Sequence, residues 1–215
     1  MLMSLSFLPF PAKGLYAITP ERRQTTEHLA DAVAAAIRGG ALVVQYRAKN
    51  AADPFGDAAG LLSVCRGAGV PLIINDDVAL ARRIGADGVH LGKDDCALVE
   101  ARRILGADAI IGVSCYDSVE RAIQAERDGA SYVAFGRFFP SKTKPGAPLA
   151  QLDTLIQAKR RVQLPIVAIG GVSPENGKRL LDAGADLLAV VEGVFGETEP
   201  KAAAERFRAL FPCLE

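Results

Sequence analysis

A closed (β/α)8 barrel is the architecture this sequence predicts, and three observations carry that reading. Short β-branched runs alternate with longer Ala/Arg/Leu segments along the whole chain. Eight such runs fit into 215 residues at about 27 residues per strand-helix unit. One punctuation mark recurs before alternate strands, reading Gly40-Ala41, Gly85-Ala86-Asp87, Gly129-Ala130-Ser131 and Gly184-Ala185-Asp186, with separations of 45, 44 and 55 residues. Gly in these positions suits the left-handed residue that closes a helix ahead of the next strand. Its fourfold recurrence favours a closed barrel over an open doubly wound sheet.

Taken in order, residues 1–13 are apolar at Leu5, Phe7, Leu8 and Phe10 but show neither a basic leader nor an Ala-x-Ala-like cleavage site. They read as an N-terminal arm packed on a single barrel domain spanning 1–215. Strands are predicted at 14–19, 42–47, 72–75, 88–91, 109–114, 132–136, 166–169 and 187–191, where β-branched and aliphatic residues cluster. Helical composition lies between them, as at 25–38, 97–105, 118–127 and 174–181, so the strands are joined by crossovers and run parallel. The last repeat carries ten extra residues, placed around 138–149 in a Pro/Lys/Gly-rich stretch, and a long loop there reads as functional.

Composition removes several classes. Lys+Arg and Asp+Glu both number 25, so no basic footprint for nucleic acid or membrane is present. Half the residues are hydrophobic, yet no apolar run approaches the ~18 residues of a spanning helix. Cys65, Cys96, Cys115 and Cys213 form no Cys-x-x-Cys pair, against both a zinc cluster and a disulfide framework. A cytoplasmic protein is expected, acting on small molecules. The Gly-x-Gly-x-x-Gly fingerprint and any Ser/His/Asp or Cys/His set are missing.

In such a barrel, polar residues that close a strand face the active site. The second strand ends Gln45-Tyr46-Arg47-Ala48-Lys49, and period-two alternation sets Gln45, Arg47 and Lys49 on one face, a set suited to an anionic, oxygen-rich ligand. The third ends Asn75-Asp76-Asp77, and Lys93-Asp94-Asp95 follows the fourth. Adjacent parallel strands lie ~4.8 Å apart. Asp76 and Asp95 can therefore converge on one Mg²⁺, which takes one or two carboxylates plus water and phosphate, whereas Asp77 and Asp94 read as helix N-caps. Pro140-Ser141-Lys142-Thr143-Lys144-Pro145-Gly146 has the hydroxyls and cations of a phosphate grip. Ile169-Gly170-Gly171-Val172-Ser173-Pro174 turns from a strand into a helix with backbone N–H groups towards the mouth. His28 reads as surface, and His90 as a buried member of a polar layer.

The ordered set Gln45-x-Arg47-x-Lys49, Asn75-Asp76, Gly88-Val89-His90-Leu91-Gly92 with Asp95, Gly112-Val113-Ser114, Thr143-Lys144 and Ala168-Ile169-Gly170-Gly171-Val172 resembles the thiamine phosphate synthase family, over residues 14–195. The resemblance implies an enzyme that joins 4-amino-2-methyl-5-hydroxymethylpyrimidine diphosphate to 4-methyl-5-hydroxyethylthiazole phosphate with Mg²⁺, releasing pyrophosphate. It implies that Gln45, Arg47, Lys49, Asn75, Ser114 and Lys144 contact the pyrimidine diphosphate, with Arg47, Lys49, Ser114 and Lys144 serving catalysis. Asp76 and Asp95 would hold the metal. Ser141, Lys142, Thr143, Gly171, Val191 and Glu192 would bind the thiazole phosphate. Four positions depart from the family pattern: Ser141 stands for Thr, Lys93 for Gln, Tyr116 for His and Glu192 for Ser. The Glu192 carboxylate is expected to turn from the phosphate towards a cation such as Lys142. Competing readings are a thiazole tautomerase-like relative and a non-catalytic ligand-sensing barrel. A homo-oligomer is compatible with the sequence.

Overall fold

The computed structural model describes residues 8–21, 25–47, 49–92, 96–140 and 149–211. Among them are eight strands, β1 (Gly14–Ile18), β2 (Ala41–Tyr46), β3 (Leu72–Asn75), β4 (Gly88–Leu91), β5 (Ile110–Tyr116), β6 (Tyr132–Gly136), β7 (Ile166–Ile169) and β8 (Leu187–Val190). Each pairs in parallel with its successor, and β8 returns to β1, so the sheet is the closed barrel the sequence predicts. The helices are α1 (Thr26–Arg38), α2 (Pro54–Gly67), α3 (Val78–Ile84), α4 (Leu98–Leu105), α5 (Val119–Arg127), α6 (Leu152–Arg161), α7 (Pro174–Asp182), α8 (Glu192–Phe195) and α9 (Pro200–Arg208). No helix among the described residues is long and apolar enough to cross a membrane.

Three of the four predicted helix starts shift by one residue, two of them for a local reason. Thr25 and Ser118 sit outside α1 and α5 as caps, their hydroxyls accepting from the N–H of His28 and Arg121. Four strand ends shift as well: Thr19, Arg47 and Val191 lie just past β1, β2 and β8, while β5 runs on to Tyr116 through an irregularity in its pairing with β6.

The recurring punctuation has a double purpose. Gly40, Gly85, Gly129 and Gly184 all have positive φ, at 106°, 71°, 89° and 114°, as the helix-closing reading requires. The third residue of three copies ties the next strand to the one before it. Asp87 N–H donates to Leu72 O at 3.1 Å while Asp87 Oδ2 accepts from Leu72 N at 2.9 Å. Ser131 exchanges the same two bonds with Ile111, at 2.7 and 3.0 Å. Asp186 does so with Ile166, at 2.7 and 3.0 Å, and also meets Lys159 Nζ at 2.7 Å. These side chains take up N–H groups that open β3 and β7, and one just inside β5, where no helix or loop backbone reaches them. At the seam, Gly14 N–H donates to Asp186 O.

Alternation along the strands separates two cores. Tyr16, Ile18, Val43, Ile73, Ile110, Tyr132, Ala134, Val167, Leu187 and Ala189 fill the barrel interior, whereas Leu15, Ala17, Val44, Leu72, Val133 and Leu188 face the helices. Gly112 is an interior position too, and a Cβ there would stand 2.0 Å from the Tyr132 ring, so its missing side chain is the space the tyrosine occupies. At the N-terminal end of the barrel Phe10 stacks on Tyr132, centroids 4.2 Å apart, and the Leu8 N–H donates to Asp87 Oδ1.

Replacing Asp87 by Ala should therefore strip a buried N–H of its acceptor and cost about 1–3 kcal/mol of unfolding free energy by urea titration. Loss within 0.5 kcal/mol, the range of an ordinary surface change, would count against the tie.

Candidate active site

At the C-terminal ends of the strands lies a cavity of about 670 Å³, lined among others by Gln45, Arg47, Lys49, Asn75, Asp76, Ser114, Gly171, Val191 and Glu192. Every substrate-binding residue the sequence predicts within the described residues borders this space. Ser141, Lys142, Thr143 and Lys144 lie outside the described residues, as does Asp95.

The β2 exit brings its three polar residues to the mouth because interior parity runs Val43, Gln45, Arg47. Buried Thr19, at the neighbouring β1 exit, fixes this turn: its Oγ1 accepts from Arg47 N–H at 2.9 Å, and its own N–H donates to Gln45 O at 2.9 Å. The Arg47 guanidinium pairs with Glu21 at 2.5 Å. The pair sits at the cavity edge, so an anionic ligand approaching Arg47 meets a cation already aimed and partly neutralised.

Below the rim a hydrogen-bond chain crosses the interior. Gln45 Nε2 donates to Tyr16 Oη at 2.8 Å, Tyr16 Oη meets Tyr132 Oη at 2.8 Å, and His90 Nδ1 meets Tyr132 Oη at 2.9 Å. His90 Nε2 meets Ser114 Oγ at 2.9 Å. Burial pushes both tyrosine hydroxyls well above their ordinary value, so they stay protonated. His90 is thus a member of the polar layer, while His28 is exposed on α1. Burial likewise pushes the Cys115 thiol up to about 12, which leaves it inert as a nucleophile.

The two neighbouring aspartates that follow β3 divide their work as their backbone dictates. Asp76 has φ of 63°, its N–H donates to His90 O at 2.9 Å, and it lines the cavity. Asp77 caps α3, its Oδ1 accepting from Leu80 N–H at 2.8 Å. Asp76 offers the hard carboxylate oxygens that Mg²⁺ prefers, beside the amide of Asn75, and so fits one position of such a site. Among the described residues no group of three or more His, Cys, Asp or Glu gathers at one point.

On the opposite wall the β6 and β7 exits pack backbone to backbone. Phe139 N–H donates to Gly170 O, and a Cβ on Gly171 (φ 67°) would stand 2.5 Å from Pro140 O. The glycine pair thus admits the start of the 138–149 segment as well as bordering the cavity. Asn176 clamps the turn, accepting from Ser173 N–H at 2.9 Å and donating to Gly171 O at 2.9 Å. The expectation of N–H groups aimed at the mouth therefore fails at Ser173, whose N–H is engaged. Arg137 lines the same wall. Glu192 Oε2 lies along α8, 2.9 Å from where a Cβ on Gly196 would be.

Comparison with known proteins gives this geometry its family. The thiamine monophosphate synthase profile matches residues 15–194. A thiamine-phosphate synthase of Methylococcus capsulatus is 55% identical over 207 residues, covering 95% of this chain and 92% of that protein. The chain belongs to the thiamine monophosphate synthase family. A second family enzyme, from Marinobacter nauticus, is 52% identical over 202 residues, covering 92% of this chain and 90% of its own. The solved thiamine phosphate pyrophosphorylase of Pyrococcus furiosus superposes with a TM-score of 0.82 at 33% identity, covering 93% and 95% of the two chains.

Sequence reasoning missed Thr19, Glu21, Arg137 and Asn176, and it took Tyr16 and Tyr132 for ordinary strand residues. Interior parity was the available signal for the tyrosines; Thr19, Glu21 and Arg137 owe their place to loop geometry, and Asn176 to its position in the first turn of α7, where it forms a capping box with Ser173. Because Asp77 caps α3 with its side chain turned to the helix, Asp77→Ala should lower stability by about 1 kcal/mol in a urea titration. A drop of 3 kcal/mol or more would mean that Asp77 holds more than the helix end.

Proposed function

We infer that this chain is a thiamine phosphate synthase, which couples 4-amino-2-methyl-5-hydroxymethylpyrimidine diphosphate with 4-methyl-5-hydroxyethylthiazole phosphate to give thiamine phosphate and pyrophosphate. The observation that carries the reading is the mouth cavity that gathers Gln45, Arg47, Lys49, Asn75, Asp76 and Ser114 from three strand ends. In the reaction the bond between the pyrimidine methylene and the diphosphate oxygen breaks, and its electron pair leaves with the diphosphate. The thiazole nitrogen lone pair then forms the new carbon–nitrogen bond. Nothing here demands a protein nucleophile, in keeping with the inert Cys115 thiol.

Arg47 and Lys49, with Lys144, are assigned to the diphosphate, where their charge offsets the charge that grows on the leaving group. Gln45, Asn75 and Ser114 are assigned to the pyrimidine, and Ser141, Lys142, Thr143, Gly171, Val191 and Glu192 to the thiazole phosphate. Asp76 and Asp95 would hold Mg²⁺, which when bound would draw off negative charge from the diphosphate. The three free cysteines among the described residues, Cys65, Cys96 and Cys115, suit a reducing compartment, and we assign the protein to the cytoplasm. A tautomerase-like activity is disfavoured because His28 is exposed and both His90 ring nitrogens are bonded.

Mixing the two substrates with Mg²⁺ should release pyrophosphate, and no release would overturn the reading. Asp76→Ala should abolish most of that activity and Asp77→Ala should not; full activity in chelator, or equal loss at both positions, would remove the metal assignment. Arg47→Lys should lower kcat on the order of 10²-fold, since a forked donor becomes a point charge. A change confined to KM would show that Arg47 contributes ground-state binding alone.

A further inference from the structure

Two anions have to share one mouth. On the reading above a diphosphate and a monophosphate occupy the same cavity of about 670 Å³, and each needs positive charge of its own, since two phosphates that lean on one cation compete for it. The closed strand order fixes where such charge can lie. Arg47 and Lys49 stand at the β2 exit. β6 is four strands further round the eight-stranded ring, diametrically across from β2, and Arg137 follows it directly. Among the described residues that line the cavity, Arg137 is the only lysine or arginine outside the β2 exit.

The place it occupies suits an anion. A Cβ on Gly170 would stand 2.2 Å from Arg137 Cβ and 2.6 Å from its Cα, so the base of the arginine is seated directly on the glycine turn that follows β7. Barrels of this kind frequently bind phosphate after strands seven and eight. The β8 exit, however, brings carboxylates to this side, Glu192 and Glu197, and both line the cavity. A phosphate set beside them with no cation at hand would be repelled. Half-buried Arg137 offers a permanent charge and a forked donor set that matches phosphate oxygens.

We propose that Arg137 is a substrate-binding residue for the phosphate of the second substrate, the thiazole phosphate, where it offsets Glu192 and leaves Arg47 and Lys49 to the diphosphate. This rests on the synthase reading above. The mouth then has two cationic poles, and charge can grow on the departing pyrophosphate at the β2 pole without drawing the other phosphate away from the β6 pole.

The test is steady-state pyrophosphate release with Mg²⁺, each substrate being varied in turn. Arg137→Gln should raise the KM for thiazole phosphate at least about tenfold, the worth of one charge-assisted hydrogen bond, and leave the KM for the pyrimidine diphosphate within about twofold. Arg137→Lys, which keeps the charge and loses the fork, should fall between the unmodified protein and the Gln variant. The Ala150 N–H donates to the Arg137 carbonyl at 2.7 Å, a backbone bond that both substitutions keep, so the melting temperature should hold within about 2 °C. An unchanged KM for thiazole phosphate in Arg137→Gln would overturn the proposal, as would a rise shared equally by the two substrates or a Lys variant no better than the Gln one. If the unmodified protein releases no pyrophosphate at all, the synthase reading falls instead. Calorimetric titration with thiazole phosphate then reads the contact directly: binding about tenfold weaker in Arg137→Gln supports it, and equal affinity, or binding by neither form, overturns it.

Discussion

A parallel sheet closed on itself has no edges, but it leaves open backbone groups at the end where its strands begin. Asp87, Ser131 and Asp186 meet that demand by exchanging both hydrogen bonds with the strand before them. Each tie also sets register, and register decides which side chains reach the interior. Slipping β4 by one residue would turn His90 out among the helices and bring Val89 and Leu91 into the interior. The site at one end of the barrel thus depends on carboxylates and a hydroxyl at the other.

The cavity is layered from floor to rim. Its lower wall is polar, made of tyrosine hydroxyls kept protonated by burial, an imidazole, an amide and a serine. Its rim carries the formal charges, Arg47, Lys49, Asp76, Arg137, Glu192 and Glu197. A ligand with an uncharged ring and an anionic tail matches that order, with the ring buried where hydrogen bonds are strongest and the tail near water and cations. Glu21, outside the cavity lining, pairs with Arg47.

Much of this was legible in the sequence, and the reasons are specific. The strand-helix alternation and the Gly-Ala-Asp spacing report backbone needs, which are local and recur with the fold. Gln45, Arg47 and Lys49 were readable because a strand's period of two is strict and their polarity is conspicuous at a strand end. The functions of Asp87, Ser131 and Asp186 were not, since a carboxylate accepting from a strand two elements away in space leaves the same letters as a solvated one. α2 escaped notice because Gly56, Gly60 and Gly67 weaken its helical composition. Tyr16 and Tyr132 pass for packing residues until their hydroxyls are seen to meet, 116 residues apart.

Phe10 lies flat against Tyr132 at the end of the barrel opposite the mouth. It adds to an interior already filled by side chains such as Val43, Ile73, Ile110 and Leu187, so the well is closed beneath and traffic must use the upper opening. An occupant of the rim is then both ligand and cork: whatever lies deeper has to arrive before it and depart after it. The order of events at this site is written partly by packed side chains deep in the barrel that no ligand need touch.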